Sequence, residues 1–160
     1  MIVAANSPTI RVISAEDFGV RLLLGHEATV VCVAVSPDGS FAASGCRGGW
    51  VRIWSLRRMQ CIAAAQGHDG SVAAISWTSR VAPFARGDRA SHWIISAGAD
   101  GSVKRWDVFE PIAHEDDVSS LASSEPQLSE IDCVASEPAH SKGINAVSVS
   151  PNDRVIAVAS

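Results

Sequence analysis

Residues 25–54 read GHEATVVCVAVSPDGSFAASGCRGGWVRIW. From Thr29 to Val35 the stretch is apolar and rich in β-branched residues, and it stops at Ser36-Pro37-Asp38-Gly39. Such a run bounded by turn residues reads as a strand. The turn has a mechanism: proline presets φ at an early position, while Asp and Gly tolerate the left-handed conformation. FAASGC and WVRIW then supply a second and a third short strand.

The same grammar recurs, which decides the fold. A second copy runs from Gly67-His68 through SVAAISW and WIISAGADGSVKRW to Trp106, with Ala99-Asp100-Gly101-Ser102 as its tight turn. A third starts at Ala139-His140 and continues INAVSVSPNDRVIAVAS to Ser160, with Ser150-Pro151-Asn152-Asp153 in the place of the first turn. The spacing from His26 to His68 is 42 residues and from His68 to His140 it is 72. A fourth strand per unit is expected from the stretch before each Gly-His: Val20 to Leu24, Cys61 to Ala65, and Ile131 to Ala135.

The excess length in the second interval is acidic. Val108 to Ala139 holds eight acids, Glu110, Glu115, Asp116, Asp117, Glu125, Glu130, Asp132 and Glu137, and no Lys or Arg. All 13 basic residues lie elsewhere with the other nine acids, so a body of charge +4 is interrupted by a segment of charge −8. The segment reads as a solvated linker. Its serines, Ser119, Ser120, Ser123, Ser124, Ser129 and Ser136, lie among acids that suit acid-directed phosphorylation, which would deepen the negative field.

Whole-chain composition bounds the rest. Of 160 residues 47% are apolar, enough for a core and against disorder throughout. A net charge of −4 disfavours a nucleic-acid binder held by excess positive charge. The longest aliphatic stretch, Val30 to Val35, falls far short of the roughly 20 apolar residues of a membrane-spanning helix. The opening MIVAANSP lacks the basic start and apolar run of an export signal, so the expected setting is a reducing compartment inside the cell. Cys32, Cys46, Cys61 and Cys133 include no C-x-x-C pair and no histidine at ligand spacing, so neither a metal nor any other cofactor is expected.

The repeat resembles the WD40 unit, whose four-stranded blades stack radially into a β-propeller with Gly-His near the start and Trp-Asp near the end. Trp106-Asp107 keeps the pair, Trp54-Ser55 is a degenerate copy, and Ile13-Ser14 is a more distant one. The fold expected is all-β, an incomplete WD40 propeller: a partial blade over 1–19, units over 20–58 and 59–108, an acidic spacer over 109–130 and a truncated unit over 131–160. Propellers close with about four to eight blades. Two complete units between two partial ones leave open strand edges, so the expectation is a piece of a longer protein.

The resemblance extends to one family. VAANSPTIRV, LLGHEATV, VRIW, a Gly-His followed by SV, VKRWDV, a long polar gap and HSKGINAVSVSPND follow one another as in the transducin β-like WD-repeat subunits of the small-subunit processome. The turn at Asn6 to Pro8 and the string from Ile144 to Asp153 are the more discriminating features. That resemblance implies a segment spanning the end of one propeller and the start of another. It also implies a nucleolar location and, as partners, other protein subunits of a large ribonucleoprotein, with U3 or pre-ribosomal RNA contacted indirectly. No membrane or small-molecule substrate is implied. The family's C-terminal helical assembly domain has no counterpart in these residues.

His68, Ser96, Asp100 and Trp106 would suggest a nucleophilic triad to a reader seeking an enzyme. In WD40 blades these positions form a structural tetrad, Trp to Ser to His to Asp, in which every buried polar group is satisfied and no nucleophile is exposed. No oxyanion site or substrate cleft accompanies them, so no catalytic residue is expected. The first unit keeps His26, Ser44 and Trp54 but has Gly48 where the Asp belongs, which predicts a network short by one acceptor. The candidate interaction surface is the insertion Ser79 to Ser91, SRVAPFARGDRAS, with Arg80, Phe84, Arg86 and Arg89. In an up-and-down blade it emerges on the same face as the spacer, where the two could pair by charge or the loop could meet RNA or an acidic partner. The reading is a non-catalytic scaffold in processome assembly; the alternative is a WD40 adaptor of another complex, such as a ubiquitin-ligase substrate receptor or a signalling scaffold.

Overall fold

The computed structural model describes residues 2–4, 7–82, 91–109 and 129–160, and their regular structure is all strand. The strands are β1 (Ile2–Ala4), β2 (Ile10–Ile13), β3 (Val20–Leu23), β4 (Val30–Val35), β5 (Phe41–Cys46), β6 (Trp50–Ser55) and β7 (Gln60–Gln66). They continue with β8 (Val72–Ala82), β9 (Ser91–Gly98), β10 (Ser102–Phe109), β11 (Ser129–Glu130), β12 (Asp132–Pro138), β13 (Ala146–Val149) and β14 (Ile156–Ala159). They form four sheets in the orders β1-β2-β3, β11-β7-β6-β5-β4, β12-β10-β9-β8 and β13-β14. Two four-stranded antiparallel units, β4–β7 and β8–β10 with β12, therefore stand between two smaller sheets, the blade-like array expected from the repeat.

Sheet and sequence repeat are out of phase by one strand. β3, β7 and β12 precede each Gly-His or Ala-His in sequence, yet they hydrogen-bond to β2, β6 and β10 and so belong to the preceding sheet. Each unit thus spans two neighbouring sheets, tying them through continuous chain.

The turns repeat down to single bonds. Ser36 Oγ donates to Asp38 Oδ1 at 2.5 Å and accepts from the Phe41 amide at 2.9 Å, while Gly39 takes φ 75°. Ser150 Oγ donates to Asn152 Oδ1 at 2.7 Å and accepts from the Val155 amide at 3.0 Å, and Asp153 takes φ 57° in the place of Gly39. Bulges repeat too: the register between β6 and β7 shifts at Ile53/Trp54, and that between β10 and β12 shifts at Arg105/Trp106. An extra residue in the outer strand increases the local twist beside each tryptophan.

Apolar burial lies between sheets. Ile10, Leu23, Val30, Ala42 and Trp54 fill the space between the first sheet and the second. Phe41, Val51, Ile53, Val72, Trp77, Ile94 and Trp106 belong to the larger cluster between the second and the third. The edge strands β4, β8 and β13 meet one another in turn, as the innermost strands of successive blades do. Cys32 Sγ lies 3.4 Å from the Val72 carbonyl across that seam, and burial pushes its thiol up to about 12. It is packing material, consistent with its apolar setting in sequence.

The join between repeats is a glycine carbonyl. Gly49 O accepts from the amides of Gly67 and His68 at 3.0 and 3.2 Å, and Gly101 O accepts from Ala139 and His140 at 3.0 and 3.1 Å. Both glycines have positive φ, 80° and 75°, and a Cβ on either would collide with the carbonyl of the following repeat's histidine. Only glycine fits this close approach.

β8 and β9 run past the expected loop boundaries: Val81 pairs with His92 and Ala82 with Ser91, beyond a register shift after Trp77. Phe84, Arg86 and Arg89 lie outside the described residues, as does the side chain of Arg80. So do residues 110–128 of the spacer, with Ser119, Ser120, Ser123 and Ser124, and with them the expected pairing of loop and spacer. Among the described parts of that region, β11 pairs in parallel with β7 and β12 completes the third sheet.

Candidate functional site

The two complete units each place a histidine, a serine and a tryptophan in line. The histidine enters on the turn after the outer strand, the serine sits mid-strand in β5 or β9, and the tryptophan lies diagonally across on β6 or β10, paired with the residue two before the serine. In the third sheet Trp106 Nε1 donates to Ser96 Oγ at 2.8 Å, Ser96 Oγ lies 2.7 Å from His68 Nε2, and His68 Nδ1 lies 3.1 Å from both oxygens of Asp100. Ser96 is fully buried, and His68 and Trp106 are nearly so.

The indole can only donate, which orders the chain. Ser96 accepts from Trp106 and gives its own hydrogen to Nε2, so the histidine proton sits on Nδ1 and faces Asp100; the tautomer is assigned from this network. Burial lowers the His68 pKa despite the opposing pull of Asp100. Burial also works against the Asp100 charge, but hydrogen bonds from the backbone and side chain of Ser102, from His68 and from the Asp69 amide outweigh it and hold the carboxyl at about 2. Ser102 and Asp69 are members of the network that sequence reading does not name. The signal for Ser102 is its place two residues after Asp100 in the turn.

The second sheet repeats the chain without its end. Trp54 Nε1 donates to Ser44 Oγ at 2.8 Å and Ser44 Oγ lies 2.7 Å from His26 Nε2. Beyond that, His26 Nδ1 is buried and meets no acceptor among the described residues. Gly48 stands where the next unit has Asp100. Burial and the Arg52 charge press the His26 pKa down to about 4. In the last sheet His140 Nε2 lies 3.4 Å from Ser160 Oγ, so Ser160 is the serine of a third copy.

Chemically the arrangement does not present a nucleophile. The Ser96 hydroxyl is enclosed, its lone pair taken by Trp106 and its hydrogen by His68. Among the described residues no group of three or more His, Cys, Asp or Glu is placed to hold a metal ion, and no helix is long and apolar enough to cross a membrane.

Radially packed four-stranded sheets, each pinned by a buried Trp-Ser-His chain, define a repeat protein of the β-propeller class. The chain belongs to the WD domain, G-beta repeat family (WD40), which it matches over residues 19–55, 59–107 and 131–160. Proteins of this family are typically non-catalytic scaffolds. The chain is similar to transducin beta-like protein 3 of Rattus norvegicus, 28% identical over 163 residues that cover 100% of this chain and 19% of that protein. It is also similar to U3 small nucleolar RNA-associated protein 13 of Saccharomyces cerevisiae, 28% identical over 170 residues, 98% of this chain and 19% of the relative. The chain thus spans about a fifth of the length of these curated relatives. Among solved structures, U3-55K superposes with a TM-score of 0.65 at 25% identity, over 91% of this chain and 38% of its own.

Proposed function

We propose that the chain is a non-catalytic WD40 scaffold that holds protein subunits together in the U3 ribonucleoprotein during small-subunit processome assembly in the nucleolus. The observation that carries this reading is the extent of one match: similarity to a U3 small nucleolar RNA-associated protein runs over 98% of the chain, acidic interval included, rather than over the generic repeats alone. The buried network supports the non-catalytic half. His68, Ser96, Asp100 and Trp106 serve as a structural tetrad, and His26, Ser44 and Trp54 as an incomplete one, because each serine hydroxyl is held between an indole and an imidazole inside the blade. The candidate interaction residues are Arg80, Phe84, Arg86 and Arg89, in a sequence stretch of net charge +2 from Ser79 to Ser91.

Affinity purification of the tagged protein from native extract, with and without ribonuclease, tests the reading. Recovery of U3 RNA, with the same protein partners retained after ribonuclease, is the expected result. Recovery of a stable set of partners without U3 RNA would place the chain in a different complex.

A further inference from the structure

The two complete blades differ at their outer edges. In the second sheet the outermost antiparallel strand is β7, and β11 runs parallel beside it, with Ser129 opposite Ala63 and Glu130 opposite Ala64. In the third sheet the outermost strand is β12, which pairs with β10 on one side and with no strand on the other among the described residues. The two outer strands are otherwise alike. Cys61 pairs with Trp54 as Cys133 pairs with Trp106, one bulged residue follows in each, Ile62 or Val134, and each cysteine Sγ lies 3.4 Å from the carbonyl oxygen two residues on. Ala135 and Ser136 therefore stand on β12 where Ala63 and Ala64 hold β11.

The open edge is accessible. Val134 is 45% exposed, Asp132, Cys133, Ser136 and Glu137 are exposed as well, and Ala135 is half-buried. Alternate N–H and C=O groups of such an edge point away from the sheet and can pair with another strand.

Charge selects what lies there. β12 carries Asp132 and Glu137 and no cation. Their partners on β10, Asp107 and Val103, are four residues apart, so the two carboxylates share one face of the sheet, with the bulge absorbing the fifth residue between them. Arg105 belongs to that face too, but its guanidinium lies over the Trp93 ring on β9, 4.5 Å from the centroid. Among the described residues no ion pair answers Asp132 or Glu137. A second copy pairing edge to edge about a two-fold axis would run antiparallel and bring Asp132 toward Glu137, which like charges oppose.

We propose that β12 accepts, in parallel as β7 accepts β11, an extended segment of a partner protein with Lys or Arg at positions i and i+4. Its backbone would take up the open edge, and its cations would meet Asp132 and Glu137. The proposal deepens the scaffold reading, on which it rests for there being a partner, and it holds for a scaffold of any complex.

The test is hydrogen–deuterium exchange with mass spectrometry on the purified full-length protein, titrated with acetyl-Thr-Lys-Val-Thr-Val-Lys-Thr-amide, with the same peptide carrying Glu for Lys, and with the Lys peptide N-methylated at its three central amides. The Lys peptide should protect residues 131–138 saturably, and the other two should leave them unchanged. Asp132→Asn with Glu137→Gln, both at exposed positions, should weaken the Lys peptide about fivefold, the worth of two exposed charge pairs. No protection at millimolar Lys peptide, or protection confined to the acidic stretch 110–128, would overturn the site. Equal protection by the Glu peptide would overturn the cationic partner, and equal protection by the N-methylated peptide would overturn strand addition. Protection that rises with protein concentration alone would assign the edge to a second copy and overturn the proposal. U3 association plays no part in the readout, so this inference and the processome reading fail separately.

Discussion

The indole Nε1 of Trp77 donates to the backbone carbonyl of Ala34 at 3.0 Å, so a side chain of one blade caps the innermost strand of the blade before it. β4 is the edge of its sheet, and this face of an edge strand has no ladder partner of its own. Trp77 also stacks against Phe41, with ring centroids 6.5 Å apart at an interplanar angle of 25°. Trp77→Phe keeps an aromatic ring at the seam but removes the donor together with part of the buried indole. Urea titration should show a loss of at least about 1–2 kcal/mol, the stranded carbonyl and the lost packing adding.

Completeness of the polar chain sets the cost of breaking it. His68→Ala strands the Ser96 hydroxyl and removes a partner of Asp100, whereas His26→Ala strands only Ser44. Each stranded group is worth about 1–3 kcal/mol, so His68→Ala should destabilise more than His26→Ala in matched urea titrations of the intact protein. Equal losses would count against the tetrad.

Gly48→Asp should stabilise. The position is not held in a positive-φ conformation, its Cβ has room, and the new carboxylate would answer His26 Nδ1–H as Asp100 answers His68. A gain of about 1 kcal/mol is expected from one added hydrogen bond, read as a higher urea midpoint. A lower midpoint would show that the space at Gly48 is not the acceptor position.

Acid should weaken the fold in two windows. His26 is lowered from 6.5 to about 4, so between those values the unfolded chain binds a proton that the native state refuses. Its contribution is fully present above pH 6.5 and is lost as pH falls toward 4; His68, lowered in the same direction, adds to it. Asp100 is lowered from 3.8 to about 2, so its contribution is present above pH 3.8 and is lost as pH falls through about 2. Urea midpoints measured from pH 7 to pH 4 should decline steadily, and His26→Asn should reduce that slope without abolishing it.

Much of the architecture is legible in the residues because the repeat fixes it locally. Pro37-Asp38-Gly39 and Pro151-Asn152-Asp153 announce hairpins by backbone chemistry, and the shared ten-residue spacing of Ser44 and Trp54 with Ser96 and Trp106, each set after a Gly-His, announces which residues face one another. Contacts made across blades carry no such mark. The Trp77 to Ala34 bond joins residues 43 apart through a backbone carbonyl, which every residue possesses. The bulges beside Trp54 and Trp106 and the parallel pairing of Ser129–Glu130 with β7 are likewise set by twist and packing rather than by a turn residue. The unanswered Nδ1 of His26 is half visible: Gly48 shows that an acceptor is lacking, and only the structure shows that the nitrogen is buried with no other acceptor among the described residues.

The central claim, a scaffold within a U3 ribonucleoprotein, is tested most directly by glycerol-gradient fractionation of native extract, blotting for the protein and probing the same fractions for U3 RNA. The account predicts that the two sediment together in a large complex. A protein that sediments apart from U3 RNA, whether alone or in another assembly, would contradict it.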